Sequence, residues 1–194
     1  VVVTDSNACI ISDTITITQP SNNLLVTTTA PTMNGYHIAC TGESSGSITA
    51  QVSGGTPGYT YLWSDGQTTA TASSLAAGAY TLTVTDSSNC SYSTYKTLIE
   101  PATVLNQNIT STNVLCNGSA DGTISINVSG GVPNYNTNWG GITNPTSLAP
   151  GTYFITTTDS NNCSVSDSVT ISEPNVLSGS FMVTFNYNGE DISC

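Results

Sequence analysis

The chain has 194 residues, only 7% of them charged, with 12 acids set against a single Lys or Arg, Lys96, for a formal net charge of −11. Such a surface repels nucleic acid and anionic membranes and leaves divalent cations as the natural charged partners. Hydrophobic residues make up 37% of the chain and alternate with polar ones, which argues for folding rather than disorder, and no apolar run approaches the ~20 residues of a membrane span.

In chain order, the first marker is TDSNAC at residues 4–9, followed by a segment closing in ITITQP at Pro20. A lead-in then reaches Cys40, and GSITAQVSGG at residues 46–55 places Ile48, Ala50 and Val52 on one face of a predicted strand, with Thr49 and Gln51 on the other. TPGYTYLW ends at Trp63, and SLAAGAYTLTVTD at residues 74–86 alternates Tyr80, Leu82 and Val84 with threonines before the turn TDSSNC. TLIEP closes this segment at Pro101. The cycle then repeats: Cys116, GTISINVSGG at 122–131, VPNYNTNW ending at Trp139, SLAPGTYFITTTD at 147–159 carrying Tyr153 and Ile155, the turn TDSNNC, and TISEP ending at Pro174.

Two sets of markers keep one period. Cys9, Cys90 and Cys163 stand 81 and 73 residues apart, and Pro20, Pro101 and Pro174 reproduce both intervals. Self-similarity at this scale marks a tandem array. The expected division is the end of one repeat at 1–20, complete repeats at 21–101 and 102–174, and the opening of another at 175–194, so the sequence reads as an interior piece of something longer. Seven or so short strands in about 75 residues, with a Trp on the third, is the pattern of an immunoglobulin-like β-sandwich, so the fold class is all-β with tandem sandwiches. Trp63, Trp139, Tyr80 and Tyr153 are the core candidates, since recurrence at a fixed strand position fits packing better than sugar binding.

No catalytic constellation can be assembled, because a triad needs a histidine oriented by a carboxylate and His37 is the single histidine, with no repeat counterpart. No cofactor is expected, with calcium as the one candidate: Asp5, Asp86 and Asp159 share a turn, and Glu100 and Glu173 end the repeats. An ion takes six to eight oxygens and too few converge; the simpler reading is that each Asp caps its own turn. Six cysteines without a CxxC pair point to an oxidising, extracellular setting and structural disulfides rather than zinc. Three regular schemes are open: Cys40 to Cys90 with Cys116 to Cys163; an offset set of Cys9 to Cys40, Cys90 to Cys116 and Cys163 to Cys194; or Cys40 to Cys163, joining one repeat to the next. Strand length opposes the first and the second requires a fold-back near Pro101; the offset set, which uses all six, is slightly preferred.

The run CNGSADGTISINVSGGVPNYNTNW, with LAPGTYFITTTDSNNC and TISEP, is similar to the SprB-type repeat of giant surface adhesins from gliding Bacteroidota. GSITAQVSGGTPGYTYLWSDG with LAAGAYTLTVTDSSNC extends the resemblance over the other complete repeat. The resemblance implies a cell-surface protein exported by type IX secretion, whose modules form a long filament contacting a substratum or other cells. This chain departs from the pattern at Ser45-Gly46, where Asp-Gly is usual, and in a longer lead-in at 33–39. Asp13-Thr14-Ile15 and Asp167-Ser168-Val169 resemble the Asp-Ser/Thr-aliphatic sequon of O-linked glycans in the same bacteria, which makes Thr14 and Ser168 glycosylation candidates, the alternative being ordinary strand alternation.

The expected role is a spacer or filament module whose partners are the neighbouring repeats of its own chain. One rival is a carbohydrate-binding module, with the loops at 56–59 and 134–138 or Tyr36, Tyr92 and Tyr95 contacting a surface polysaccharide. Another is self-assembly with other copies by strand complementation.

Overall fold

The computed structural model describes residues 1–16 and 22–180, together with Asn186, Tyr187, Glu190 and Asp191. Among the described residues every regular element is a β-strand. The chain divides into two compact units, Val1–Ala102 and Thr103–Cys194.

The first unit opens with a short antiparallel hairpin, β1 (Val2–Thr4) and β2 (Ile10–Ser12). Six further strands follow: β3 (Leu25–Thr29), β4 (Gly46–Ser53), β5 (Thr60–Trp63), β6 (Thr71–Leu75), β7 (Gly78–Thr85) and β8 (Ser91–Leu98). They form two antiparallel sheets, ordered β3-β4-β6 and β5-β7-β8. The period-2 pattern decides which side faces in. Val26, Ile48, Ala50 and Ala72 from one sheet join Trp63, Leu82, Val84 and Leu98 from the other in one buried cluster. A side chain of this kind stabilises by ~1.5–3 kcal/mol when fully buried, and such contributions hold the two layers together as a sandwich. Trp63 is 2% exposed and its indole N–H donates to the Thr69 carbonyl at 2.8 Å, so its one polar atom is satisfied.

Gly46, which opens β4, and its counterpart Gly122 serve packing rather than a turn. A Cβ on Gly46 would stand 2.5 Å from Ile38 Cδ1 and 2.8 Å from Leu98 Cδ1; one on Gly122 would stand 2.8 Å from Ile171 Cγ2. Ile38, fully buried, is what the longer lead-in delivers to the core. Met33 and Tyr36 pair across a tight Asn34-Gly35 turn with positive φ at both residues, a geometry that suits Asn-Gly. Val114 fills the place of Ile38 in the second unit.

The second unit has β9 (Asn106–Thr112), β10 (Thr123–Ser129), β11 (Asn136–Asn138), β12 (Gly151–Thr158) and β13 (Ser164–Ile171), in sheets β9-β10 and β11-β12-β13. Near its C-terminal end, β14 (Asn186–Tyr187) pairs with β15 (Glu190–Asp191). The strand matching β6 shrinks to an isolated bridge between Gly122 and Leu148. Trp63 precedes Leu75 by twelve residues, whereas Trp139 precedes Leu148 by nine, and the shorter segment does not complete a third strand beside β10. The expectation of two equivalent core tryptophans is therefore corrected: Trp139 follows β11, is half-buried, and packs against the cluster of Val114, Ile124, Leu148, Ile155 and Ile171 from its edge. Tyr80 and Tyr153 are also half-buried; each ring packs on its cluster while its hydroxyl donates to the carbonyl four residues back, at Ala76 (3.1 Å) and Ala149 (2.7 Å).

Candidate functional site

The repeated polar residues gather at the two ends of each unit. At the first end the β7–β8 turn is organised by Asp86, whose Oδ1 accepts the N–H groups of Ser88 and Cys90, both at 2.9 Å. Its Oδ2 reaches across the sandwich to the N–H of Thr56 at 2.8 Å. Asp159 repeats all three bonds, with Asn161 (2.8 Å), Cys163 (3.0 Å) and Val132 (2.8 Å). Asp5 repeats the local pair with Asn7 and Cys9. Ala8, Asn89 and Asn162 take the left-handed conformation that closes the turn. The Gly-Gly step makes room for the carboxylate: a Cβ on Gly55 would stand 2.8 Å from Asp86 Oδ2, and one on Gly131 2.5 Å from Asp159 Oδ2. The hydrogen bond from Thr56 leads the effects that hold the Asp86 carboxyl below its ordinary range, burial opposing it and Cys90 and Ser88 adding to it.

At the opposite end Glu100 Oε2 accepts the N–H of Gly42 at 2.7 Å, and Glu173 Oε2 that of Gly118 at 2.8 Å. Thr41 donates to the Pro101 carbonyl (2.8 Å) and Asn117 to that of Pro174 (3.1 Å). These acids close the unit by fastening its last residues to the loop that carries Cys40 or Cys116. Within each unit the calcium candidates are thus kept apart: Asp86 and Glu100 flank β8, and Asp159 and Glu173 flank β13, whose eight residues span about 25 Å.

The same separation disposes of pairing within a repeat, because a disulfide needs Cα atoms within ~7 Å. Cys40 and Cys163 are each disulfide-bonded. Cys9, Cys90 and Cys116 are exposed thiols, which corrects the slightly preferred offset scheme as well as the within-repeat one; Cys194 lies outside the described residues. His37 fastens the lead-in instead of facing a substrate: its backbone N–H donates to the Ile99 carbonyl at 2.9 Å, and its ring Nδ1 accepts the Ile99 N–H at 3.2 Å. Burial, then the charge of Lys96, lowers its pKa, which favours the neutral ring that this bond requires.

The loops weighed for carbohydrate are internally tied, since Tyr59 donates to the Gly54 carbonyl and Tyr135 to that of Gly130, both at 2.7 Å. Tyr36 is half-buried, Tyr92 only partly exposed, and Tyr95 stands well out of the surface. The glycosylation candidates Thr14 and Ser168 are both exposed, Ser168 on β13 opposite Phe154. Phe154 and Leu62 are exposed apolar residues that the sequence reading passed over. Parity alone could have found Phe154, since it shares the outward face with Thr152 and Thr156.

The SprB repeat family matches the chain at residues 38–68 and 108–144, so each match runs from beside the buried Ile38 or within β9 to just beyond the tryptophan. No curated protein matches it.

Proposed function

We propose that this chain, which carries two SprB repeats, is a spacer segment of a long surface filament that holds an adhesin's contacts away from the cell. The SprB repeat is a structural repeat of cell-surface proteins and not an enzyme family. A disulfide fits an extracellular setting. The observation that carries the reading is the fate of the repeated carboxylates. Asp86, Asp159, Glu100 and Glu173 each accept backbone N–H groups of their own unit. The polar chemistry that recurs from repeat to repeat therefore holds the module closed rather than presenting charge to a ligand. In that role the module's product is length under load, in a protein exported by type IX secretion and serving gliding or attachment. Exposed Thr14 and Ser168 support O-glycosylation of the same surface, and unmodified masses for both peptides of the native protein would end that part of the proposal.

Single-molecule pulling under reducing conditions tests the spacer role. A chain of closed modules gives discrete rupture peaks, each releasing about 25 nm for a repeat of some 73 residues at ~3.6 Å per residue. Smooth extension without peaks would refute it.

A further inference from the structure

The outward faces of two of the three-stranded sheets, β5-β7-β8 and β11-β12-β13, carry one constellation. On β7 and β8, Thr81 lies opposite Tyr95, and the next outward pair is Thr83 with Ser93, whose hydroxyls are 3.0 Å apart. On β12 and β13 the same two positions hold Phe154 opposite Ser168, then Thr156 with Ser166 at 2.7 Å. Counted from Gly78 and Gly151, which begin the two strands in matching register, the positions are identical. The aromatic ring and its hydroxyl partner have exchanged strands between the units, yet the ring keeps its place. Tyr95 is 73% and Phe154 71% exposed, on faces clothed mainly in Thr and Ser, with Leu62 of β5 opposite Thr83 and Asn138 of β11 opposite Thr156.

An exposed ring at one fixed place in both units has no part in the sandwich or in the end clamps. From this geometry we infer that each outer sheet face is a binding platform for an uncharged polysaccharide. The ring offers its face to the C–H groups of a pyranose, while the adjacent hydroxyl pair both donates and accepts toward sugar hydroxyls. The outward pairs that frame the ring carry no ionisable side chain other than the tyrosine phenol, and the −11 net charge disfavours an acidic polymer. A second copy of the chain is the poorer occupant, because one exposed ring per face, joined in the first unit only by Leu62, lacks the apolar core of a stable interface and two such acidic chains repel. The inference stands apart from the spacer role, which needs no exposed ring, and on the second unit it takes Ser168, opposite Phe154, as unglycosylated.

Affinity electrophoresis of the whole 194-residue chain, through native gels cast with mannan, laminarin, dextran or alginate, tests it. Retardation is expected in at least one of the three neutral polymers and not in alginate alone. In the Tyr95→Thr/Phe154→Thr double variant the apparent affinity should fall at least about tenfold, as loss of a central aromatic contact does, and each single variant should fall between. Thermal melting of the variants should match the parent, since both side chains lie outside the core. Unretarded migration in all three neutral gels, retardation by alginate only, or undiminished binding by the double variant would each overturn the inference. So would sedimentation showing a dimer of the parent chain that the double variant loses, because the face would then serve a second copy.

Discussion

Asp86 and Gly55 form a single fitted device: the carboxylate Oδ2 that accepts the Thr56 N–H lies 2.8 Å from where any side chain on Gly55 would begin. The turn after β7 and the turn after β4 can be joined only while residue 55 has no Cβ. Asp159 and Gly131 repeat the fit in the second unit.

Gly55→Ala should therefore cost more than its backbone strain. With φ at +66° it carries the left-handed penalty of ~1–2 kcal/mol for a residue with a Cβ and adds a clash with a charged oxygen. Gly66→Ala, at φ +91° in open space, bears the backbone penalty alone. Urea titration should place Gly55→Ala clearly below Gly66→Ala in stability; equal losses would show that the carboxylate moves aside freely.

The Asp86 clamp sets a pH dependence. A folded-state pKa below the ordinary 3.8 means the bonded anion adds stability above that value, which drains away as pH falls through the lowered pKa. Parent and Asp86→Asn should differ most near neutrality, and the gap should start to close as pH falls past about 3.8 and vanish below the lowered pKa. A gap between their denaturation midpoints that persists unchanged into strong acid would contradict the assignment.

Gln107 occupies the place that Val26 holds in the first unit, opposite Val128 rather than Val52. It is 6% exposed; its Nε2 donates to the Ile155 carbonyl at 3.1 Å while Oε1 has no partner. Since a buried unsatisfied acceptor costs ~1–3 kcal/mol, Gln107→Val should stabilise the second unit by about 1 kcal/mol. Calorimetry that finds its transition lowered would refute this.

Thiol chemistry offers a direct reading of the cysteines. Iodoacetamide applied to the native, unreduced chain should label Cys9, Cys90 and Cys116 and spare Cys40 and Cys163 until reductant is added. Peptide mapping in which Cys40 is alkylated without reduction would contradict the bonded state.

The alternation of Ile48, Ala50 and Val52, and of Leu82 and Val84, made the strands and their inward faces legible, because side-chain period follows from backbone geometry alone. The recurring TDSxxC turn was legible for the same local reason: an Asp bonding N–H groups two and four residues ahead needs no distant partner. Its second oxygen was not legible, because Thr56 is thirty residues away and meets it only once the sheets have stacked.

Sequence alone established an all-β tandem array, since composition, period and turn chemistry are written residue by residue. The unequal burial of Trp63 and Trp139, the division of the carboxylates between opposite ends, and the matching register of the two exposed rings were decided by tertiary structure. Each depends on which strands lie beside one another, and that is fixed by the energy of closing the whole sandwich rather than by any single segment.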